Sequence, residues 1–230
     1  MRAQRFSNPI FVAIDTPDLD RALALAKSVG PHVGGLKVGL EFLTAQGPEG
    51  LRRIVDLGRP VFADTKFHDI PNTVAGAARA IAKLGVAMFN IHASGGEAMM
   101  RAARDAAPNL TLIAVTVLTS LDDAVLGSVG QRAPAAEQVV RLAKLTQASG
   151  LDGVVCSAHE IAAIRAACGP DFLLTVPGIR PMGSDLADQK RVMTPRQAAD
   201  AGAGILVIGR PITGAPDPAE AARAIAGSLA

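Results

Sequence analysis

Eight short runs of β-branched and apolar residues recur along this chain, with room for a helix between neighbours, and that alternation constrains the fold more than any other feature. The runs are IFVAID (10–15), GLKVG (35–39), PVFADTK (60–66), MFNIHA (88–93), TLIAVTVL (111–118), GVVCS (153–157), LLTVPG (173–178) and ILVIGR (205–210). Between them lie Ala-, Leu- and Arg-rich segments such as DLDRALALAKSVG and TVAGAARAIAKLG, several opened by Asp, Asn or Thr and closed by Gly, as helix caps require. Eight such units in 230 residues, with no linker, low-complexity tract or shift in composition, predict one α/β domain over residues 1–230, a (β/α)8 TIM barrel. An open doubly wound sheet would leave similar local signals.

Either architecture gathers its ligands at the carboxyl ends of the strands. Asp15 closes the first run, Lys37 lies near the end of the second, Asp64 and Lys66 end the third, and His92 ends the fourth; Thr119 and Ser120 follow the fifth. The two-residue period of a strand turns Asp64 and Lys66 to the same side, with Phe62 in the layer beneath, and Asp69 follows in the loop. A buried ion costs on the order of several kcal/mol unless it is paired. Asp15, Lys37, Asp64 and Lys66 form an expected network in which each ammonium has a carboxylate neighbour, an arrangement that keeps a desolvated lysine protonated. Such a lysine is an acid: it can stabilise negative charge on a carbon and then deliver a proton to it, as decarboxylation and other carbanion chemistry require. The plainer reading of the same four groups is a stabilising network at the barrel rim.

A second cluster follows the last two strands. VPGIRP (176–181) and VIGRPIT (207–213) each place an arginine shortly after a glycine, in the two loops that most often bind phosphate in barrels. Gly178 and Gly209 let the backbone approach an anion, while Arg180 and Arg210 offer forked donors. The segment RPMGSDLADQKRV (180–192) is long for a strand-to-helix connection and reads as a lid, with Thr194 and Pro195 as cap and first position of the next helix.

Other function classes find little support. The formal charge is +2, Lys and Arg are scattered, and Trp and Tyr are absent, which argues against nucleic acid as a partner. The apolar run before Asp15 is short for a signal peptide, and nothing approaches the roughly 18 apolar residues of a membrane span. Cys156 and Cys168 fall in no CxxC and no Cys/His ligand spacing, so a reducing cytoplasm fits. The dinucleotide fingerprint, P-loop, HExxH and GxSxG motifs are all missing. Cys156 is expected to be buried beside a surface His159, His32 and His68 to face solvent or cap, and His92 either to orient the site or to satisfy a backbone group.

The stretch DTKFHDIPNTV contains the pattern D-x-K-x-x-D-I-P, and through it the sequence resembles the orotidine 5′-monophosphate decarboxylase family. The likeness runs nearly end to end, through VAID, LKVG, IHASGG, VLTS, VPGIRP, ADQKRVMTP and IGRPIT; the third-strand motif alone is shared with related sugar-phosphate decarboxylases and synthases. It implies a homodimeric enzyme that uses no metal or organic cofactor and converts orotidine 5′-monophosphate to UMP and CO2. By the same resemblance Lys66 is the proton donor to C6 and Asp64 faces the substrate carboxylate. Asp69 reaches that region of the other subunit's site, and Ile70 and Thr73 cross the same interface. Asp15 and Lys37 would hold the ribose hydroxyls, Thr119 and Ser120 lie near the base, Gln189 closes from the lid, and Arg180, Gly209 and Arg210 grip the phosphate. Ile14 and Val176 depart from residues often Leu and Thr in the family, at positions with no charged role. The alternatives are a metal-dependent sugar-phosphate decarboxylase or aldol enzyme on the same barrel, Schiff-base chemistry at Lys66, and a phosphate-binding barrel without turnover. Members of the metal-dependent group typically carry an acidic ligand where this chain has Lys37.

Overall fold

Each apolar run becomes a parallel strand: β1 (Ile10–Ile14), β2 (Gly35–Val38), β3 (Val61–Phe67), β4 (Met88–His92), β5 (Thr111–Val115), β6 (Gly153–Val155), β7 (Leu173–Val176) and β8 (Ile205–Ile208). In the computed structural model, which describes residues 6–132, 134–181 and 193–229, the strands pair in chain order. The last closes on the first, with Phe11 opposite Val207 and Val12 opposite Ile208. That closure excludes the open sheet. Seven strands stop one to three residues short of the runs read from sequence, several of them at a polar, Gly or Pro residue where the chain passes into its loop. Thr116, just past β5, still bonds the Val155 carbonyl, through its N–H at 3.4 Å and its hydroxyl at 2.9 Å, before the chain turns away at Val117.

The helices that return the chain are α1 (Leu19–Val29), α2 (Leu40–Val55), α3 (Pro71–Ala82), α4 (Gly96–Ala106), α5 (Asp123–Ser128), α6 (Ala135–Ala148), α7 (Ile161–Cys168), α8 (Pro195–Asp200), α9 (Arg210–Thr213) and α10 (Pro218–Gly227). Their starts follow the capping chemistry. The Asp18 carboxylate accepts from the Arg21 N–H at 2.9 Å, and Thr194 forms a reciprocal capping box with Gln197 ahead of Pro195.

Strand alternation divides the core in two. Ile10, Val12 and Ile14 face outward into the layer shared with the helices, while Phe11 and Ala13 face inward with Phe62, Met88, Ile113, Ile205 and Val207. Close approach inside the barrel explains Gly35, since a Cβ there would lie 2.3 Å from the Phe11 ring. Phe6 stacks edge-on against Phe11, with ring centroids 4.8 Å apart. The interior around Phe62 is therefore filled largely with apolar side chains, and the charged groups Asp64 and Lys66 follow Phe62 toward the carboxyl end of β3.

Candidate active site

At that rim the four charges read from the sequence come together. Lys66 Nζ lies 2.5 Å from Asp64 Oδ1, Lys37 Nζ lies 3.1 Å from Asp64 Oδ2, and Asp15 Oδ1 lies 3.4 Å from Lys37 Nζ. Adjacent strands supply them in order, β1 through Asp15 just past its end, β2 through Lys37 and β3 through both Asp64 and Lys66. Asp64 is buried and Asp15 exposed, so the chain of charges runs from the solvent edge into the barrel. Burial opposes the ionised Asp64, but Lys37 and Lys66, together with hydrogen bonds from Lys66 and Asn90, hold its carboxyl below the ordinary carboxylate range. Burial likewise opposes the Lys37 ammonium; the Asp64 and Asp15 carboxylates outweigh it and raise its pKa above the ordinary lysine value.

Lys66 has a feature that strand period does not foretell. Its φ is +51°, the left-handed region, at a register break where Ala63 pairs with Phe89 and Phe67 with Ile91. Asn90, the residue of β4 between those partners, is 1% exposed and fills the break. Its Oδ1 accepts from the Lys66 backbone N–H at 2.7 Å and its Nδ2 donates to Asp64 Oδ1 at 2.7 Å. The Asn90 carbonyl in turn accepts from the Thr65 hydroxyl at 2.7 Å.

A cavity of about 160 Å³ opens above Phe62, lined by Lys37, Asp64, Lys66 and Asn90 on one side and by Val117, Leu118 and Thr119 on another. Gly39 was not singled out from the sequence, yet a Cβ on it would lie 3.1 Å from Lys37 Nζ and 3.3 Å from Asp15 Oδ1. Thr175 and Cys156 also line the cavity. The Thr175 hydroxyl is buried with no hydrogen-bond partner among the described residues. Burial, with Glu160 adding to it, pushes the Cys156 thiol well up, which disfavours a thiolate nucleophile.

The remaining candidates separate. Ser120 is exposed in the turn after Thr119, and Asp69, Ile70 and Thr73 are exposed around the start of α3. Asp69 accepts from the Ile70 N–H at 2.6 Å, and Ile70 is 67% exposed. Arg180 is buried, its backbone N–H donating to the Met193 carbonyl at 3.1 Å and its guanidinium to the Ile179 carbonyl at 3.2 Å, whereas Arg210 is exposed as the first residue of α9, capped by Gly209. Gly178 takes φ +77°, a left-handed conformation suited to glycine. Gln189 lies outside the described residues. His92 stacks on the exposed His68, with ring centroids 5.5 Å apart, and burial, His68 and Lys66 together hold its pKa below the usual value against the opposing Asp64.

Residues 8–225 match the family described as Orotidine 5′-phosphate decarboxylase / HUMPS family. The orotidine 5′-phosphate decarboxylase of Paramagnetospirillum magneticum is 54% identical, over 96% of this chain and 98% of its own. That of Moorella thermoacetica is 55% identical, over 96% of this chain and 91% of its own. The crystal structure of orotidine 5′-phosphate decarboxylase from Lactobacillus acidophilus superposes with a TM-score of 0.86 at 38% identity, covering 97% of this chain and 99% of that one.

Proposed function

The chain belongs to the orotidine 5′-phosphate decarboxylase / HUMPS family, and on that premise we propose that it decarboxylates orotidine 5′-monophosphate to UMP and CO2 in pyrimidine biosynthesis. The observation that carries this reading is the Lys66 ammonium, 2.5 Å from Asp64 and lining the cavity above the apolar barrel interior. In the proposed step the bond from C6 to the carboxylate breaks, CO2 departs, and the electron pair stays on C6. Lys66 stabilises that charge and transfers a proton from Nζ to C6; solvent then returns a proton to the amine. Each 1.36 kcal/mol or so by which Lys66 favours the carbanion over the ground state is worth about tenfold in rate. Lys37 serves to keep Asp64 ionised beside Lys66, and with Asp15 it would hold the ribose hydroxyls.

Thr119 and Ser120 would meet the base, and Arg180, Gly209 and Arg210 the phosphate, with Gln189 closing over both. Asp69, Ile70 and Thr73 would complete the neighbouring site of a homodimer, a role that their exposure around the start of α3 supports. Lys37 and Lys66, both paired to Asp64, would repel a divalent cation, which favours metal-free decarboxylation over the metal-dependent sugar-phosphate chemistry of the same superfamily. No helix among the described residues is long and apolar enough to cross a membrane. Cys156 and Cys168 are free and buried, which suits a cytoplasmic enzyme.

The test is the ultraviolet change when orotidine 5′-monophosphate is added to purified protein in EDTA. Conversion to UMP at an undiminished rate is expected. Loss of activity in EDTA that Mg²⁺ restores would overturn the reading, as would binding of UMP without release of CO2.

A further inference from the structure

The geometry points to Asn90 as a positioning residue that sets the place of the proton-donating ammonium, an inference that rests on the function proposed above. Between Ala63 and Phe67 the strand β3 advances four residues while β4, from Phe89 to Ile91, advances two, so the ladder cannot pair the backbone of Asp64 to Lys66 in the usual way. A lysine at φ +51° carries backbone strain and persists only where its surroundings compel it. Asn90 supplies the compulsion. Its Oδ1 takes the Lys66 N–H that the ladder leaves over, and its Nδ2 fixes the same Asp64 oxygen that receives Lys66 Nζ. Chemistry dictates that orientation of the amide, since only the oxygen can accept from an N–H and only the NH₂ can donate to a carboxylate. One side chain, 1% exposed, therefore ties the backbone of the donor residue to the anion paired with its ammonium.

Two substitutions and two kinds of readout test this. The turnover of the parent protein comes first, because a parent that does not convert orotidine 5′-monophosphate refutes the proposed function and leaves the positioning claim to be judged by structure alone. With an active parent, Asn90→Ala is expected to lower kcat about a hundredfold, the usual scale for a misplacement near 1 Å, with UMP affinity nearly unchanged. A kcat close to the parent's, or equal proportional losses of kcat and UMP affinity, would overturn the inference. In the crystal structure of Asn90→Ala, Lys66 is expected to leave positive φ and its ammonium to part from Asp64; both retained would overturn the inference whether or not the parent turns over.

Should Asn90→Ala not fold, Asn90→Asp keeps the shape and the acceptor for the Lys66 N–H but turns a carboxylate toward Asp64. The titratable groups around it are Asp64 and Lys66 from β3, which Asn90 bonds directly, Lys37 from β2, which pairs with Asp64, and Cys156 past β6 in the same cavity lining, with His92 two residues along its own strand. Its kcat relative to the parent is expected to be low at neutral pH and to rise on acidification, as protonation restores a donor toward Asp64; a flat ratio would overturn the inference.

Discussion

Lys66 and Asp64 point into one cavity from positions two apart on the same strand, the ammonium of one 2.5 Å from the carboxylate of the other. The second Asp64 oxygen is occupied by Lys37 at 3.1 Å, so a single buried anion serves two cations.

Asp64→Asn keeps the shape and removes that anion. Two lysines would then face each other across a neutral amide, and the folded state is expected to lose about 3 kcal/mol, the usual cost of leaving a buried charge unpaired. A lower denaturant midpoint at unchanged slope checks it. An unchanged midpoint would mean that Lys37 and Lys66 find water instead.

Gly39→Ala probes the outer link. The backbone at Gly39, φ −102°, accepts alanine, but the new methyl would crowd Lys37 Nζ and Asp15 Oδ1 from 3.1 and 3.3 Å. The 3.4 Å contact between those two groups should open, with kcat/KM falling roughly tenfold from displaced geometry while the melting temperature barely moves. Steady-state kinetics beside thermal melts separate the two effects.

Stability should respond to pH in three places. Folding lowers the Asp64 pKa, so its contribution is present above the ordinary value of 3.8 and is lost as pH falls through the lower folded value. Folding raises the Lys37 pKa, so its contribution is present below 10.5 and is lost as pH climbs through the higher folded value. His92 is held below 6.5, so the unfolded chain takes up that proton first and stability declines as pH drops from 6.5 toward the folded value. Melting curves of His92→Gln should lack this first decline. Parallel curves for parent and variant would contradict it.

The shared site of the proposed dimer can be tested by mixing subunits. Neither Lys66→Ala nor Asp69→Ala homodimers should turn over well, but a hybrid of the two brings intact Lys66 and Asp69 together at one of its two sites. Recovery of about half the parent activity per hybrid is expected, whereas no recovery would place Asp69 in its own subunit's site.

Much of this arrangement is legible in the sequence. Period-two alternation along FADTK is enough to turn Asp64 to the side of Phe62, whereas Lys66 reaches the same cavity from a left-handed backbone, and eight strand runs with capped helices are enough to suggest a barrel. The strand runs alone also allowed an open sheet, and the pairing of Phe11 with Val207, which joins opposite ends of the chain, decides for the barrel. The left-handed backbone of Lys66 was not legible, since it depends on a mismatch between two strands and not on local propensity. Asn90 left a faint signal, a polar amide inside MFNIHA that is costly to bury unless satisfied. Gly39 left none, since the space it keeps clear belongs to side chains from two other positions. Strand ends read too long for a related reason: Val117 and Leu118 keep strand-like composition after the chain has left β5.

The most direct test of the central claim is the turnover of orotidine 5′-monophosphate by Lys66→Ala, with UMP binding measured on the same folded sample. Loss of kcat by about 10⁴-fold or more is predicted, because proton donor and carbanion-stabilising charge disappear together, with UMP still bound. A kcat within about tenfold of the parent, less than a single proton donor ordinarily contributes, would contradict the account.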